Sequence, residues 1–264
     1  MMGREDEEKR RLLARISDLF SRAERGELTI TPFLSPAERV YAERFLLGRG
    51  ARFRSYGGYA DAERQRIYLL PDYMDSEKEL STILEEFSLQ TEIATLRIKG
   101  SGYRRLSHRD FLGALLSLGL ERSVLGDIAV NEEGTEAFLF CEAVIADFIE
   151  AELKTVANDR VRPSRVEAEE WELPSRRTLP ISDTVASPRL DAVVAALCGL
   201  SREKASGVVS AGLVELNFES EDRPDRLISS GAVISVRGFG KYRILSAQER
   251  TKKGRVRLLA EKYL

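Results

Sequence analysis

Residues 187–245 read SPRLDAVVAALCGLSREKASGVVSAGLVELNFESEDRPDRLISSGAVISVRGFGKYRIL, and this stretch decides the architecture. Leu190, Val193, Val194 and Leu197 recur at helical spacing and stop at Gly199, which defines a short amphipathic helix. Ser201 then stands at a capping position, Ala205, Val208 and Val209 form an inward face, and Gly212 ends a second helix. Strands are expected at 213–216, 232–236 and 241–245. Two helices on a small sheet give a compact αα-βββ unit.

Cations gather where such a unit would meet a polyanion. Arg189 opens the first helix, while Arg202 and Lys204 follow the capping Ser201 of the second, beside N–H groups that favour phosphate. Arg237, Lys241 and Arg243 on the closing strands are expected to extend the same surface. Phe239, between Gly238 and Gly240, is either a stacking platform for a base or a buried turn aromatic. Six phosphate contacts of this kind would give a salt slope of about -4 to -5. Asp191 reads as an orienting group for Arg189 or for the helix end.

The charge distribution agrees with this. Of 264 residues 41 are Lys or Arg and 43 Asp or Glu, a net of -2, but residues 187–264 hold 14 basic against 9 acidic, a net of +5. The preceding 186 residues hold 27 against 34, a net of -7. Residues 237–264 alone carry 9 basic and 2 acidic, a footprint suited to a phosphate backbone. No apolar run of about 18 residues occurs, and the first dozen residues, MMGREDEEKRRL, are charged, so a cytoplasmic protein with no membrane segment is expected. Cys141 and Cys198 lie far apart in apolar runs and read as free thiols.

Upstream, residues 5–25 form a charged helix with Leu12, Ile16, Leu19 and Phe20 inward and Gly26 as its stop. Ser35, Pro36 and Glu38 are the cap, first-turn proline and capping box of a second helix that ends near 48–50. Strands at 52–56 and 66–70 flank Gly57-Gly58. From there the expected order is a helix near 77–86, a strand at 91–98, a helix at 108–118, strands at 127–131 and 135–140, a helix at 141–153 and a strand within 160–168. From residue 91 this is βαββαβ, the ferredoxin-like order of RNA-recognition (RRM-like) domains. Phe138 and Phe140 share a face of its third strand, but their acidic neighbours favour ordinary packing. Residues 169–186 contain two prolines and little periodicity, as a linker would. The chain is thus expected to be α+β, with an N-terminal α/β region at 1–76, a ferredoxin-like middle domain at 77–168, a linker at 169–186 and a basic C-terminal domain at 187–264.

Arg189-Leu190-Asp191, Ser201-Arg202, the run Ala211 to Asn217 (AGLVELN) and Val233-Ile234-Ser235-Val236-Arg237-Gly238 together resemble the S4 RNA-binding domain. Phe218 and Ala232 depart from it, where many members have Gly and Asp. Over the wider chain, TPFLSP at 31–36, Gly57-Gly58 with ERQR at 63–66, LPDY at 70–73, HRDFLGAL at 108–115 with Gly126-Asp127-Ile128, and VRGFG at 236–240 with Thr251-Lys252-Lys253 are similar to the bacterial YlmH family of S4-domain RNA-binding proteins. That resemblance implies a non-enzymatic protein that holds ribosomal or transfer RNA on the large ribosomal subunit. It also implies a role in rescue of stalled translation and a link to cell division. The RNA-binding set is then Arg189, Ser201, Arg202, Lys204, Asn217, Arg237, Phe239, Lys241, Arg243, Lys252, Lys253 and Arg255, with no catalytic residue, metal, cofactor or small-molecule substrate.

His108-Arg109-Asp110 imitates a kinase catalytic loop, yet no Gly-rich nucleotide loop or DFG accompanies it; Ser107 and Asp110 read as a helix cap. Two rival functions remain. One is an RNA-modifying enzyme with an S4 domain, such as a pseudouridine synthase, whose catalytic Asp would need an Arg-Leu-Asp context. The only such triplet, at 189–191, already belongs to the S4-like helix. The other is a protein-binding adaptor that uses its acidic N-terminal part.

Overall fold

The computed structural model describes residues 4–167, 178–251 and 254–263. The chain divides into two compact units, Met1–Pro174 and Ser175–Leu264.

The first unit opens with α1 (Arg4–Ala23), β1 (Thr29–Ile30), α2 (Pro36–Leu47), β2 (Phe53–Tyr56), β3 (Arg66–Leu69) and α3 (Leu80–Glu86). The cap expected on α2 is present: the Ser35 N–H donates to Glu38 Oε2 at 2.7 Å, and the Glu38 N–H donates to Ser35 Oγ at 3.3 Å. Such a cap contributes about 1 kcal/mol. β3 lies between β1 and β2 in an antiparallel sheet and is buried along its length, with Ile16, Ala42 and Leu46 of the two long helices packed near Ile67 and Leu69. Leu80, Ile83 and Leu84 of α3 pack with Tyr68, Leu70 and Met74. The helix expected to open the middle region therefore belongs, by packing, to the N-terminal sheet.

The unit continues with β4 (Ile93–Lys99), α4 (His108–Ser117), β5 (Leu125–Val130), β6 (Glu136–Glu142), α5 (Ala143–Glu152), the hairpin β7 (Thr155–Val156) and β8 (Asp159–Arg160), and β9 (Arg162–Arg165). Its sheet order is β5-β6-β4-β9, antiparallel throughout, so the first and third strands of the βαββαβ unit are central, as in a ferredoxin-like fold. Leu96, Ile98, Leu139 and Cys141 turn toward α4 and α5, where Phe111, Leu115 and Ile149 complete a core. Full burial of Phe111 alone contributes about 2–3 kcal/mol. Ser107 and Asp110 form a reciprocal cap on α4, which is the role the HRD triplet was expected to have.

Four contacts fasten the N-terminal sheet to this layer. The Asp127 carboxylate accepts from Tyr59 OH at 2.6 Å and from the N–H groups of Glu63 (2.7 Å) and Arg64 (3.0 Å). The Arg64 guanidinium donates to the carbonyls of Leu125, Phe33 and Arg122, and Arg66 donates to those of Thr31 and Glu92. Gly58, at φ +102°, lies so close to the Phe140 ring that an added Cβ would sit 2.3 Å from it.

The second unit is β10 (Thr178–Val185), α6 (Leu190–Cys198), α7 (Arg202–Ser210), β11 (Val214–Leu216), β12 (Glu219–Ser220), β13 (Val233–Val236), β14 (Gly240–Ser246) and β15 (Val256–Tyr263). Both helices pack on a six-stranded sheet of order β10-β15-β14-β13-β11-β12, around Leu190, Val193, Val194, Val209, Ile234, Tyr242, Ile244 and Leu258. Gly199 ends α6 in the left-handed region at φ 64°, a C-cap that glycine takes without a Cβ clash.

Two expectations are corrected here. Residues 178–185, read as linker, form an eight-residue strand; Pro180 disguised it, yet β10 is an edge strand, where a missing N–H is tolerated. Residues 256–263, where no strand was expected in the basic C-terminal stretch, are β15, paired on both sides; Val256, Leu258 and Ala260 face the core while Arg257, Leu259 and Glu261 lie on the other face. The sheet accordingly has six strands in place of three. The remainder of the expected linker, residues 169–177, lies outside the described residues.

Candidate nucleic-acid interface

The starts of α6 and α7 meet at one buried carboxylate. Asp191, with a side chain 7% exposed, accepts from Arg189 Nε at 3.3 Å, Arg202 Nε at 3.1 Å and Arg202 Nη2 at 3.5 Å, and its Oδ1 also accepts the Ala192 N–H at 2.8 Å. Burial alone would raise the Asp191 carboxyl, but the hydrogen bonds from Arg202, Arg189 and Ala192 outweigh it and hold the group below the usual carboxylate range. Both guanidiniums keep their outer edges in solvent, with side chains 39% and 54% exposed. Asp191 thus orients two cations that remain free to meet an anion.

Ser201 caps α7 by accepting the Lys204 N–H at 3.3 Å, which leaves the Lys204 side chain exposed at the same helix start. The N–H groups of Arg202 and Glu203 have no partner among the described residues. The α6 start differs: the N–H groups of Leu190 and Asp191 donate to the carbonyls of Arg226 and Pro224 at 2.8 and 3.0 Å. The phosphate-accepting helix end expected at both helices is therefore open only at α7. Arg202 also lines an open groove of about 490 Å³ with Arg255, whose guanidinium hydrogen-bonds Thr184.

The remaining predicted residues do not all join this surface. Side chains alternate along β14, and Tyr242 and Ile244 point to the helices, so Lys241 and Arg243 project from the opposite face of the sheet. Lys241 Nζ lies 4.9 Å from the Phe218 ring centroid and 5.5 Å from that of Tyr263. Arg237 is exposed beside the C-terminal end of α7, with its N–H on the Leu213 carbonyl. The single continuous surface expected from sequence is thus split by strand alternation. Asn217 is a turn residue: with Phe218 it links β11 to β12, both at positive φ (50° and 68°), and its Oδ1 accepts the Val233 N–H at 2.9 Å. Such a two-residue turn favours Asn-Gly, which explains why Phe218 is a departure from the S4 pattern. Phe239 packs against the core, the turn-aromatic alternative. Lys252 and Lys253 lie outside the described residues.

In the first unit, Phe138 and Phe140 are 5% and 0% exposed, and Phe140 packs on Tyr59 with ring centroids 4.9 Å apart. Neither ring is open to a base. Among the described residues no group of three or more His, Cys, Asp and Glu side chains could hold a metal, and no helix is long and apolar enough to cross a membrane. Both cysteines are free, and burial pushes the Cys141 thiol up to about 12.

Comparison with known proteins places this geometry. A family described as "Putative RNA-binding domain in YlmH" matches residues 86–170, which is the ferredoxin-like layer. The chain is 31% identical over 239 residues to the "Ribosome-associated protein quality control protein P2" of Bacillus subtilis, covering 90% of this chain and 89% of that one. The chain belongs to the YlmH family. The fold of "Cell division protein ylmH from Streptococcus pneumoniae" agrees at a TM-score of 0.50 and 22% identity, over 63% of this chain and 94% of that chain. A shorter likeness, 43% identity over 61 residues, is to an uncharacterised RNA pseudouridine synthase of Mycobacterium bovis; it spans 23% of this chain and 20% of that protein. The family model thus falls on the first unit, in the region expected from sequence to be a ferredoxin-like domain with acidic residues around Phe138 and Phe140.

Proposed function

We propose that this YlmH-family chain is a non-enzymatic RNA-binding protein whose S4-like C-terminal unit holds structured ribosomal or transfer RNA on the large ribosomal subunit during rescue of stalled translation. The observation that carries this reading is the Asp191 clamp. One buried carboxylate fixes two half-exposed arginines beside the open N-terminus of α7, with Lys204 next to them. A-form RNA is recognised mostly by shape, phosphate and 2′-OH contacts, which such an array can supply without reading sequence. The name of the B. subtilis relative supports a ribosomal setting, and that of the S. pneumoniae protein the cell-division link.

The pseudouridine synthase alternative needs a catalytic aspartate that reaches substrate. Asp191, in the Arg-Leu-Asp triplet, is buried and committed to two arginines and a backbone N–H, so it is a scaffold group.

Replacing Arg189 or Arg202 by Glu would set like charge against buried Asp191 and confuse unfolding with lost binding. The test is therefore Arg189→Gln, Arg202→Gln and Lys204→Gln combined with Asp191→Asn, which clears the cluster without stranding a charge. Co-sedimentation with large ribosomal subunits at two salt concentrations should show weaker binding and a salt slope flatter by about 2–3 units. Unchanged binding by a folded variant would remove the clamp from the interface.

A further inference from the structure

Beyond the S4-like surface, we infer that the first unit carries a second RNA site, in which Tyr103 stacks on an unpaired base while Lys99, Arg160 and Arg162 hold the flanking phosphates. The inference rests on the RNA-binding reading above and adds to it a place and a ligand class, namely single-stranded or looped-out nucleotides.

The loop between β4 and α4 reads Lys99-Gly100-Ser101-Gly102-Tyr103-Arg104-Arg105. Tyr103 is 98% exposed, the most of the large apolar or aromatic side chains among the described residues. An aromatic ring left in water at the tip of a floppy loop would mean little, but this loop is tied down. Gly100 N–H donates to Thr135 O at 2.8 Å and Leu106 N–H to Gly134 O at 2.8 Å, closing both ends of the loop. Ser101 donates to Asp159 through its N–H at 3.0 Å and through its hydroxyl, and the Tyr103 N–H reaches back to Ser101 Oγ at 3.3 Å. Gly100 packs closely here: an added Cβ would stand 2.9 Å from Asp159 Oδ2 and 3.1 Å from the Thr135 carbonyl oxygen. The ring is therefore presented on a fixed backbone.

Gly100 and Ser101 of the same loop line an open cleft of about 870 Å³ together with Lys99, Lys154, Arg160 and Arg162. Lys99, Arg160 and Arg162 make no ion pair among the described residues. The one acidic side chain in the lining, Glu150, is already engaged by the N–H and Nε of Arg165, at 2.9 and 3.7 Å. Arg104 is near enough to Asp159 to help hold that carboxyl below its usual range, which brings a further cation to the same rim. A cationic channel beside a presented aromatic ring is the arrangement that binds single strands, in which phosphates follow the charge and bases stack. The usual stacking face of an RRM-like sheet is closed here, because Phe138 and Phe140 are buried.

The test uses the full chain and two probes: an RNA hairpin with an unpaired loop, and the same stem closed as a fully paired duplex. Fluorescence anisotropy would follow Tyr103→Ala, Tyr103→Trp, and Lys99→Gln with Arg160→Gln and Arg162→Gln. Loss of one stacked base predicts that Tyr103→Ala weakens hairpin binding by about 5-fold or more, with duplex binding unchanged and Tyr103→Trp close to wild type. The triple variant should flatten the hairpin salt slope by about 2 units. If Tyr103→Ala and the triple variant bind the hairpin as wild type does while the clamp variant loses it, this second site is overturned and the S4-like reading stands. If the wild-type chain binds neither probe, both fall together. Tyr103 has almost no packing to lose, so failure to fold is not a competing explanation.

Discussion

Arg202→Ala separates the structural from the RNA-binding work of the clamp. The substitution removes two guanidinium hydrogen bonds, at 3.1 and 3.5 Å, from a carboxylate that is 7% exposed. Hydrogen bonds to charged groups contribute about 1.5–3 kcal/mol, and the Arg202 side is 54% exposed, so solvent screening lowers the expected cost to about 1–2 kcal/mol. For a unit of this size that is a fall in melting temperature of about 4–16 °C. In an Asp191→Asn background no buried charge is left to strand, and Arg202→Ala should cost less than about 0.5 kcal/mol. Urea unfolding of the four proteins gives the coupling directly. Large-subunit binding should behave differently, weakening on Arg202→Ala in both backgrounds, because the phosphate contact belongs to the arginine. Equal stability losses in the two backgrounds would refute the clamp; full binding by Arg202→Ala would refute its contact with RNA.

Gly58→Ala should destabilise the first unit by about 2 kcal/mol or more, read by thermal unfolding, because the residue has positive φ and the new methyl meets the Phe140 ring. Asp191 titrates lower folded than unfolded, so its contribution is complete above the unfolded value and disappears as pH falls through the folded one. The stability difference between wild type and Asp191→Asn should therefore be flat above about pH 5 and shrink below about pH 4; a constant difference down to strong acid would contradict it. Cys141, with its thiol raised to about 12 by burial, should resist thiol-reactive dyes in the native protein and label at the rate of global unfolding.

Legibility in the sequence followed the range of the interaction. Ser35 and Ser107 announced their helices because a capping box spans three residues, and the βαββαβ order was readable because strands of six or seven residues such as β4 and β6 are short apolar runs set between turns and helices. β10 and β15 were hidden by local chemistry, a proline in one and the charges Arg257, Glu261 and Lys262 in the other, which only pairing between residues about 80 apart makes sense of. Closure of the α6 start was equally remote, since the carbonyls that take its N–H groups come from Pro224 and Arg226. The clamp was half readable: Asp191 was recognised as an orienting group for Arg189, but its second arginine arrives from the next helix. Counting charge over 186 residues concealed the Lys99, Arg160 and Arg162 cluster, whereas the Gly-Ser-Gly-Tyr-Arg-Arg run at 100–105 was a local signal that could have been weighed.

The buried phenylalanines of β6 also limit how the first unit can act. On an RRM-like sheet, bases stack on exposed rings of the central strands. Here Phe140 lies beneath Gly58 and Tyr59, and Phe138 is covered with the Arg97 guanidinium 5.9 Å from its ring centroid. Arg97 in turn pairs with Glu136 at 2.8 Å. The N-terminal region has thus taken over a face that could have been used for RNA, and it is locked there by Arg64 and Asp127. With that face closed, RNA contact in this unit falls to edges and loops, where the exposed tyrosine and the cations without an ion pair among the described residues are found. Phe140→Ala should then behave as a core substitution, lowering stability by about 3–5 kcal/mol. If it left stability intact and abolished RNA binding, the sheet face would be the interface and the fixed loop would not.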